Sequence, residues 1–341
     1  PGTDASGVVK SMMDELIDVP AGMVTTATSC LHEQTPGIDM HDYTPRLLGT
    51  RLYSQKLGVV TAALWNLMLV IAVISLALGF SQGREYAELI WPIDMGIVAV
   101  FVLLFINMVL TVWRRKEPVL YVSVWYACAA VVLTGTTFCL GNVIWKPDTV
   151  ALRGIPDAIL LWFYGHNVFG LLLTPLTLGL AYYVIPIVTR NPLYSHTLSL
   201  IGFWTLALFY NWAGTHHLIG GPIPAWLVTV GIVGSVMMFI PVATVAINHH
   251  MTTKGHFDKL KISPTLRFIV FGAMSYTVVS FPGSLQALRT VNEISHFTHY
   301  TVAHAHLGVY AFFSMIMFGS IYYIVPRLTG REWPSARLIR I

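Results

Sequence analysis

Charged residues are scarce in this chain, and their scarcity excludes a soluble globular domain. Of its 341 residues, 55% are hydrophobic and only 11% are charged, whereas soluble domains carry roughly 25% charged residues. The apolar residues form runs long enough to cross a bilayer, which takes roughly 20 residues each. The composition therefore predicts an all-α fold, a polytopic bundle of transmembrane helices, with the lipid bilayer as its surroundings and no nucleic acid as a partner.

Cysteine is almost as rare, with only Cys30, Cys128 and Cys139 in the whole chain. Their spacing matches no metal-binding pattern, and the chain contains no C-x-x-C-H sequence for attaching a c-type heme. Two of the three lie inside apolar runs, where cysteine behaves as a small core residue. Any metal centre must therefore use other ligands.

The apolar runs divide the chain into two parts. Residues 1–45 contain no run long enough to span and are predicted to be an extramembrane tail or an incomplete N-terminal region. Residues 46–341 are predicted to be a membrane domain with about eight spans. The approximate spans are 57–80, 93–113, 118–143, 158–188, 196–218, 225–248, 266–288 and 300–326. The fourth is long and contains Pro175, which predicts tilt or a kink.

Basic residues alternate between the loops and orient the bundle. The loops on one side carry most of the lysines and arginines, whereas the other side carries only Arg84, Lys146, Arg153 and Arg289. Positive loops mark the cytoplasmic side. The pattern predicts a multi-pass membrane protein whose basic loops face the cytoplasm.

Five of the thirteen histidines converge on the outer third of the membrane. They come from three different spans: His166, His216, His217, His304 and His306. Ionisable groups in spans are costly and usually mark function, although single interfacial histidines are ordinary. His249, His250 and His256 are instead assigned to a basic cytoplasmic loop, where solvated histidines are common.

The spacing of the five histidines predicts more than one site. His216 and His217 are adjacent at a span end, where the backbone can turn both imidazoles toward one ion. With His166 they form a three-imidazole site, and imidazole suits copper, zinc and iron. His304 and His306 project about 200° apart on a helix. They can bind two different flat cofactors, such as two hemes, unless one of them is a hydrogen-bonded core residue.

A polar stripe runs along the span that ends in the histidine pair. Tyr210 lies seven residues before His217, on the same helix face, where a phenol can deliver a proton or an electron to the metal site. Ser199 and His196 continue the stripe toward the cytoplasm. The stripe predicts a proton entry path, although isolated polar residues satisfied by neighbouring helices are the alternative.

These motifs resemble the catalytic subunit I of cbb3-type cytochrome c oxidases, the C family of heme-copper oxidases. The resemblance runs from about residue 46 to the end of the chain. It is carried by residues 84–94 (REYAELIWPID), 162–167 (WFYGHN), 210–218 (YNWAGTHHL), 295–308 (SHFTHYTVAHAHLG) and 321–335 (IYYIVPRLTGREWPS).

The resemblance implies a terminal respiratory oxidase that reduces O2 to water and is coupled to proton uptake and pumping. It implies that His304 is the ligand of a high-spin heme b and that His306 is a ligand of a low-spin heme b. The implied ligands of the copper ion CuB are His166, His216 and His217. It further implies that Tyr210 is the tyrosine covalently linked to His166, and that the path through His196 and Ser199 to Tyr210 is the proton channel.

The same resemblance implies partners and further cofactors. They are membrane-anchored c-type cytochrome subunits, cytochrome c as electron donor, and a calcium ion near the heme propionates. The family has twelve spans and a second histidine for the low-spin heme on an early span. The early span with that histidine is not found here, and two early and two late spans of the twelve are missing. The sequence is therefore expected to be a fragment or to have an unusual tail.

Three other functions compete with an oxidase. A nitric oxide reductase of the same superfamily would place a glutamate near the three histidines, and residues 158–220 contain none. A non-catalytic membrane cytochrome b would leave His166, His216 and His217 unexplained. A transporter would show an internal repeat, and none is visible in the sequence.

Overall fold

The computed structural model describes residues 43–82, 84, 86–143, 154–335 and 338–340, and within them it contains helices and no strand. The helices are α1 (Tyr43–Leu47), α2 (Gln55–Ala77), α3 (Trp91–Trp113), α4 (Val122–Phe138), α5 (Ile155–Val168), α6 (Thr174–Thr189), α7 (His196–Ala213), α8 (Ala225–Met237), α9 (Phe239–Thr253), α10 (Pro264–Gln286), α11 (Arg289–Ser295), α12 (His299–His306) and α13 (Met315–Thr329). Segments of π-helix are Cys139–Val143, Phe169–Leu173 and Leu307–Ser314. Short 3-10 segments are Gly214–Leu218, Phe257–Lys261 and Leu338–Arg340. The predicted all-α fold is confirmed.

Seven helical segments of the described residues are long and apolar enough to cross a membrane. They correspond to seven of the eight predicted spans. The eighth, predicted at 196–218, is also helical, as α7 and its 3-10 extension, but it is not among the seven. Its sequence includes His196 and Asn211, polar residues that lower its mean hydropathy.

The chain separates into two compact units. The first comprises the residues up to Gln82 together with Glu88–Val119, and the second comprises Gly83–Ala87 together with Leu120–Ile341. The first therefore contains α1 to α3, and the second contains α4 to α13. The predicted boundary at residue 45 falls inside α1, and most of the predicted tail lies outside the described residues. That domain boundary stays a prediction.

In the first unit, α2 and α3 are joined by a polar clamp at the start of α2. The backbone N–H of Ser54 donates to Asn107 Oδ1 at 3.1 Å, and Asn107 Nδ2 donates back to the Ser54 carbonyl at 3.1 Å. The N–H of Tyr53 donates to Thr111 Oγ1 at 3.0 Å. Backbone N–H groups at a helix start have no partner within the helix, so these side chains supply acceptors for the N–H groups of Tyr53 and Ser54. The Ser54 carbonyl also accepts the first helical bond, from the N–H of Gly58 at 3.1 Å.

The second unit repeats this clamp with the same residue types. Ser195 N–H donates to Asn248 Oδ1 at 3.0 Å, Asn248 Nδ2 donates to the Ser195 carbonyl at 2.8 Å, and Tyr194 N–H donates to Thr252 Oγ1 at 3.1 Å. In both units the serine and the asparagine are 53 residues apart. The two units thus share one local hydrogen-bond pattern, made by the same four residue types at the same separations. So few residues carry it that the apolar background of the spans conceals it in the sequence.

The long fourth span departs from regular α-helix next to Pro175, whereas the predicted tilt or kink stays a prediction. Proline has no N–H to donate to the carbonyl four residues earlier, which here belongs to Leu171. The helix passes through the π segment Phe169–Leu173 before Pro175. The Leu171 carbonyl accepts a hydrogen bond from Thr134 Oγ1 of α4 at 3.1 Å instead. A neighbouring helix therefore replaces the lost bond, as membrane burial requires.

The assignment of His249 to a solvated loop was wrong. Helix α9 continues to Thr253, beyond the predicted end of the span at residue 248, so that His249 lies on the helix. Its side chain is only 4% exposed, and its ring lies 4.4 Å from the ring of Tyr182 between centroids. His250 is exposed, and His256 Nε2 is 3.0 Å from Asn191 Oδ1.

Candidate metal centre

Three of the predicted ligands, His166, His216 and His217, meet at one point in the second unit. One ring nitrogen from each histidine lies within 4.8 Å of the others. His166 Nδ1 and His217 Nε2 are 3.1 Å apart. Two nitrogens bound tetrahedrally to one ion at about 2.0–2.1 Å would be about 3.3 Å apart. The cluster therefore has the size of a three-imidazole metal site. His166 belongs to α5, and the histidine pair follows the end of α7.

The local backbone explains how two adjacent histidines reach one point. Both lie in the 3-10 segment Gly214–Leu218 that follows α7, and their ring centroids are 4.4 Å apart. Gly214 begins this segment, and a Cβ there would lie 2.6 Å from the Trp162 carbonyl oxygen and 3.2 Å from His166 Cβ. Only a glycine allows the end of α7 to approach α5 so closely.

One buried ring nitrogen of the cluster has no partner within the residues that the structure describes. His166 is 7% exposed, and its Nε2 is buried without a hydrogen-bond partner among the described residues. A buried polar atom without a partner calls for an explanation such as an ion, a water or a covalent bond. The donor set is composed entirely of imidazole nitrogens, which copper accepts well.

Tyr210 lies against this cluster. Its ring stacks on that of His166, with centroids 4.1 Å apart and an interplanar angle of 17°. A Cβ at Gly170 would overlap the Tyr210 ring, so this glycine provides the space for the phenol. The two rings meet face to face. The predicted contact with the metal ligands is present, whereas the covalent link between Tyr210 and His166 stays a prediction.

The three histidines and Tyr210 line one wall of a cavity of about 730 Å³, and His304 and His306 line another. Cavities that hold small molecules and cofactors measure about 300–1,000 Å³. Much of the lining is aromatic or aliphatic, including Phe312 and Val279. Such a cavity fits a flat, apolar cofactor placed between the two sets of histidines.

His304 and His306 differ in their surroundings. His304 is partly buried and its Nδ1 has no hydrogen-bond partner in the described part of the chain. The ring packs so closely on α10 that a Cβ at Gly283 would overlap it. His306 is exposed, and its Nδ1 donates to the Val302 carbonyl at 2.8 Å. That bond leaves Nε2 as the free lone pair, the usual arrangement for a metal-bound histidine.

The predicted proton path is less continuous than expected. Ser199 is buried, but its Oγ donates to the carbonyl of His196 at 2.6 Å in its own helix. The His196 side chain is exposed. No side-chain hydrogen bond joins either of them to Tyr210 among the bonds of the described residues. Helical spacing therefore placed Ser199 correctly on the buried side, but His196 lies toward the exterior.

Three polar residues that the sequence analysis missed lie on other helices. Tyr276 of α10 lines the cavity, and its hydroxyl is buried without a partner in the described structure. Tyr182 of α6 and Asn248 of α9 are both fully buried, and Asn248 Nδ2 lies 3.5 Å from the Tyr182 hydroxyl. Because they come from three different helices, periodicity along one helix could not associate them. Tyrosine in the middle of an apolar span was the available signal.

Sequence comparison identifies the family. The sequence model of the family described as cytochrome c and quinol oxidase polypeptide I matches residues 40–341. The chain belongs to this family. The resemblance predicted from the histidine motifs is thereby confirmed, and the fold, the membrane helices and the histidine cluster all agree with it.

Individual oxidase relatives are similar over most of this chain. Cytochrome c oxidase subunit 1 of Rhodobacter capsulatus is 38% identical over 274 residues, which are 79% of this chain and 52% of that protein. The cbb3-type cytochrome c oxidase subunit CcoN1 of Stutzerimonas stutzeri is 38% identical over 292 residues, 84% of this chain and 61% of that protein. The chain thus spans about half to three fifths of the length of these relatives.

A solved structure shares the fold. A cryo-EM structure of a heme-copper terminal oxidase dimer superposes with a TM-score of 0.66 at 16% sequence identity. The match covers 91% of this chain and 65% of the other. At this identity the match supports the helical architecture alone.

Proposed function

We propose that this chain forms the oxygen-reducing core of a cbb3-type cytochrome c oxidase. The observation that carries the proposal is the contact of Tyr210 with His166 beside the paired histidines, in a cavity that also contains His304. The 38% identity to a cbb3-type subunit supports the same type. The reaction is the reduction of O2 to water, coupled to proton uptake and pumping.

Two sets of histidines would bind the metal ion and the hemes. His166, His216 and His217 would hold a copper ion, and His304 would hold the iron of a high-spin heme b. His306 would hold a low-spin heme b through its free Nε2. When bound, the copper and the high-spin iron supply three of the four electrons that the splitting of dioxygen needs.

Tyr210 would supply the fourth electron, together with a proton. Its phenol holds a proton and can release it together with an electron, and it lies in direct contact with a proposed copper ligand. Ser199 and the buried hydroxyls of Tyr276 and Tyr182 are the groups that would pass protons toward it from the cytoplasmic side. His196 would take up protons at the exposed start of α7.

Partners and location follow from the same proposal. Membrane-anchored c-type cytochrome subunits would deliver electrons from cytochrome c, because the chain has no C-x-x-C-H of its own. The location would be the inner membrane of a bacterium. A calcium ion near the heme propionates remains part of the proposal, and no described residue is assigned to it.

Nitric oxide reduction is the second candidate, and the cavity argues against it. That reaction uses a non-heme iron with a glutamate beside the histidines. Among the described residues that line the cavity none is acidic, and Tyr210 is present. Neutral imidazoles alone are a ligand set that copper accepts.

Metal analysis of the purified, membrane-embedded complex tests the proposal. We expect copper together with heme in the wild type, and loss of copper with retention of heme in His216→Ala, because two imidazoles hold the ion weakly. Non-heme iron in place of copper would support the reductase. Full oxygen reduction by His216→Ala would reject the assignment of the copper site.

A further inference from the structure

Ser235 of α8 contacts the proposed copper site although it belongs to none of the histidine motifs. Its Oγ lies 2.5 Å from His216 Nδ1 and 2.7 Å from the carbonyl oxygen of Gly231. The side chain is 3% exposed. A buried hydroxyl that touches a metal ligand and a carbonyl at once has a limited number of ways to arrange its proton.

Only one position of the Ser235 hydroxyl proton makes hydrogen bonds to both His216 and Gly231. A serine hydroxyl has one proton to donate and two lone pairs, whereas a carbonyl oxygen can only accept. If Ser235 donates to Gly231, its Oγ is free to accept from an N–H at His216 Nδ1. A neutral imidazole protonated at Nδ1 carries its lone pair on Nε2. Ligating histidines usually donate their second ring nitrogen in this way.

We infer that Ser235 is a positioning residue that holds His216 in the tautomer with Nε2 available to the copper ion. The inference rests on the proposed copper site and adds to it a determinant of metal affinity. His166 has a different arrangement, because its Nδ1 faces His217. Ser235 therefore acts on one specific ligand of the three.

Helix α8 is built to make this contact. Leu227, Gly231 and Ser235 follow each other at intervals of four residues and share one helix face. The Leu227 carbonyl accepts a bond from Thr215 Oγ1 at 2.7 Å. A Cβ at Gly231 would lie 2.5 Å from Thr215 Oγ1 and 2.8 Å from the backbone nitrogen of His216. Three successive turns of α8 thus hold the segment that presents the histidine pair.

Ser235→Ala tests the inference, and the chain offers a close control. Ser320 of α13 is also 3% exposed, and its Oγ donates to the carbonyl of Ile316 four residues earlier at 2.8 Å. Ser320 therefore has the carbonyl bond of Ser235 without the imidazole. Ser235→Thr keeps a hydroxyl and serves as the conservative variant.

Two quantities are measured on the purified, assembled complexes. The first is the copper retained per heme as the chelator concentration increases. The second is the infrared C–O stretch of carbon monoxide bound to the reduced copper. For Ser235→Ala we expect copper affinity to fall about 10–100-fold, heme content to stay constant, and the C–O band to broaden or split. Ser320→Ala should match the wild type, and Ser235→Thr should recover the affinity.

The outcomes separate this inference from the proposed function. Wild-type copper affinity and an unchanged C–O band in Ser235→Ala would overturn the role of Ser235 and leave the copper site intact. Equal losses in Ser235→Ala and Ser320→Ala would show a general packing effect and also overturn it. Absence of copper from the wild type would reject the proposed function, and this inference with it.

Discussion

Replacement of Gly283 by alanine would disturb the proposed ligand of the high-spin heme. A Cβ built on Gly283 overlaps the His304 ring, with Cε1 as the nearest atom and Nε2 at 3.0 Å. Ordinary contacts between carbon atoms lie at about 3.5–4.0 Å. The imidazole would therefore have to retreat by roughly 1 Å, or α10 would have to move away from α12.

The size of the effect follows from this displacement. Overpacking of a buried site costs about 1–3 kcal/mol, while alanine in place of glycine favours the helix by about 1 kcal/mol. The net effect on folding is therefore small. A misplacement of about 1 Å at a reacting centre costs about 10²-fold in rate. We expect Gly283→Ala to fold, to show an altered high-spin heme spectrum, and to lose about 10²-fold in oxygen reduction.

Gly308→Ala is the matched control, because it makes the same substitution in the wall of the same cavity. A Cβ at Gly308 has Val279 Cγ2 at 3.7 Å as its only close neighbour, an ordinary contact. The assay combines the absorption spectrum of the reduced complex with oxygen consumption. A normal high-spin spectrum and normal turnover in Gly283→Ala would refute the claim that this glycine positions His304.

Three further outcomes test other parts of the structure. Tyr210→Phe should keep copper and heme but lose oxygen reduction, since it removes only the hydroxyl, and a peptide map of the wild type should show the segments around 166 and 210 joined; an active variant would reject this role. His304→Ala should perturb the high-spin heme spectrum and His306→Ala the low-spin one, and identical spectral losses would contradict the two-heme arrangement. Asn107→Ala should lower stability by about 1–3 kcal/mol, measured as earlier thermal inactivation, because it leaves the Ser54 N–H unpaired, whereas the Ser54 carbonyl keeps its bond from the N–H of Gly58.

The features that could be predicted depend on residues that are close together in the sequence. Apolar runs predicted the membrane helices, since burying about 20 apolar residues in lipid leaves the helix as the only hydrogen-bonded solution. Adjacent histidines at the end of an apolar run predicted that His216 and His217 lie together. The position of Tyr210 on the same face followed from the helical period.

The features that could not be predicted depend on contacts between helices. Ser235 reaches His216 from a different helix, so no spacing in the sequence connects them. Asn107 and Asn248 appear as isolated polar residues in apolar runs until the structure pairs each with the start of another helix. The end of α9 was placed too early because the polar pair His249 and His250 ended the apolar run, although the His249 side chain is buried.

Two of the three π segments of the described residues lie close to proposed metal ligands: Phe169–Leu173 follows His166 closely, and Leu307–Ser314 follows His306. Segments of π-helix contribute Phe169, Leu173, Val309 and Phe312 to the cavity wall. Such π segments are rare and are frequently found at functional sites, and here both of them shape the cavity that contains the histidines. Because these segments would lie against a heme bound in the cavity, we expect their amides to exchange with solvent faster in the heme-free protein than in the loaded complex.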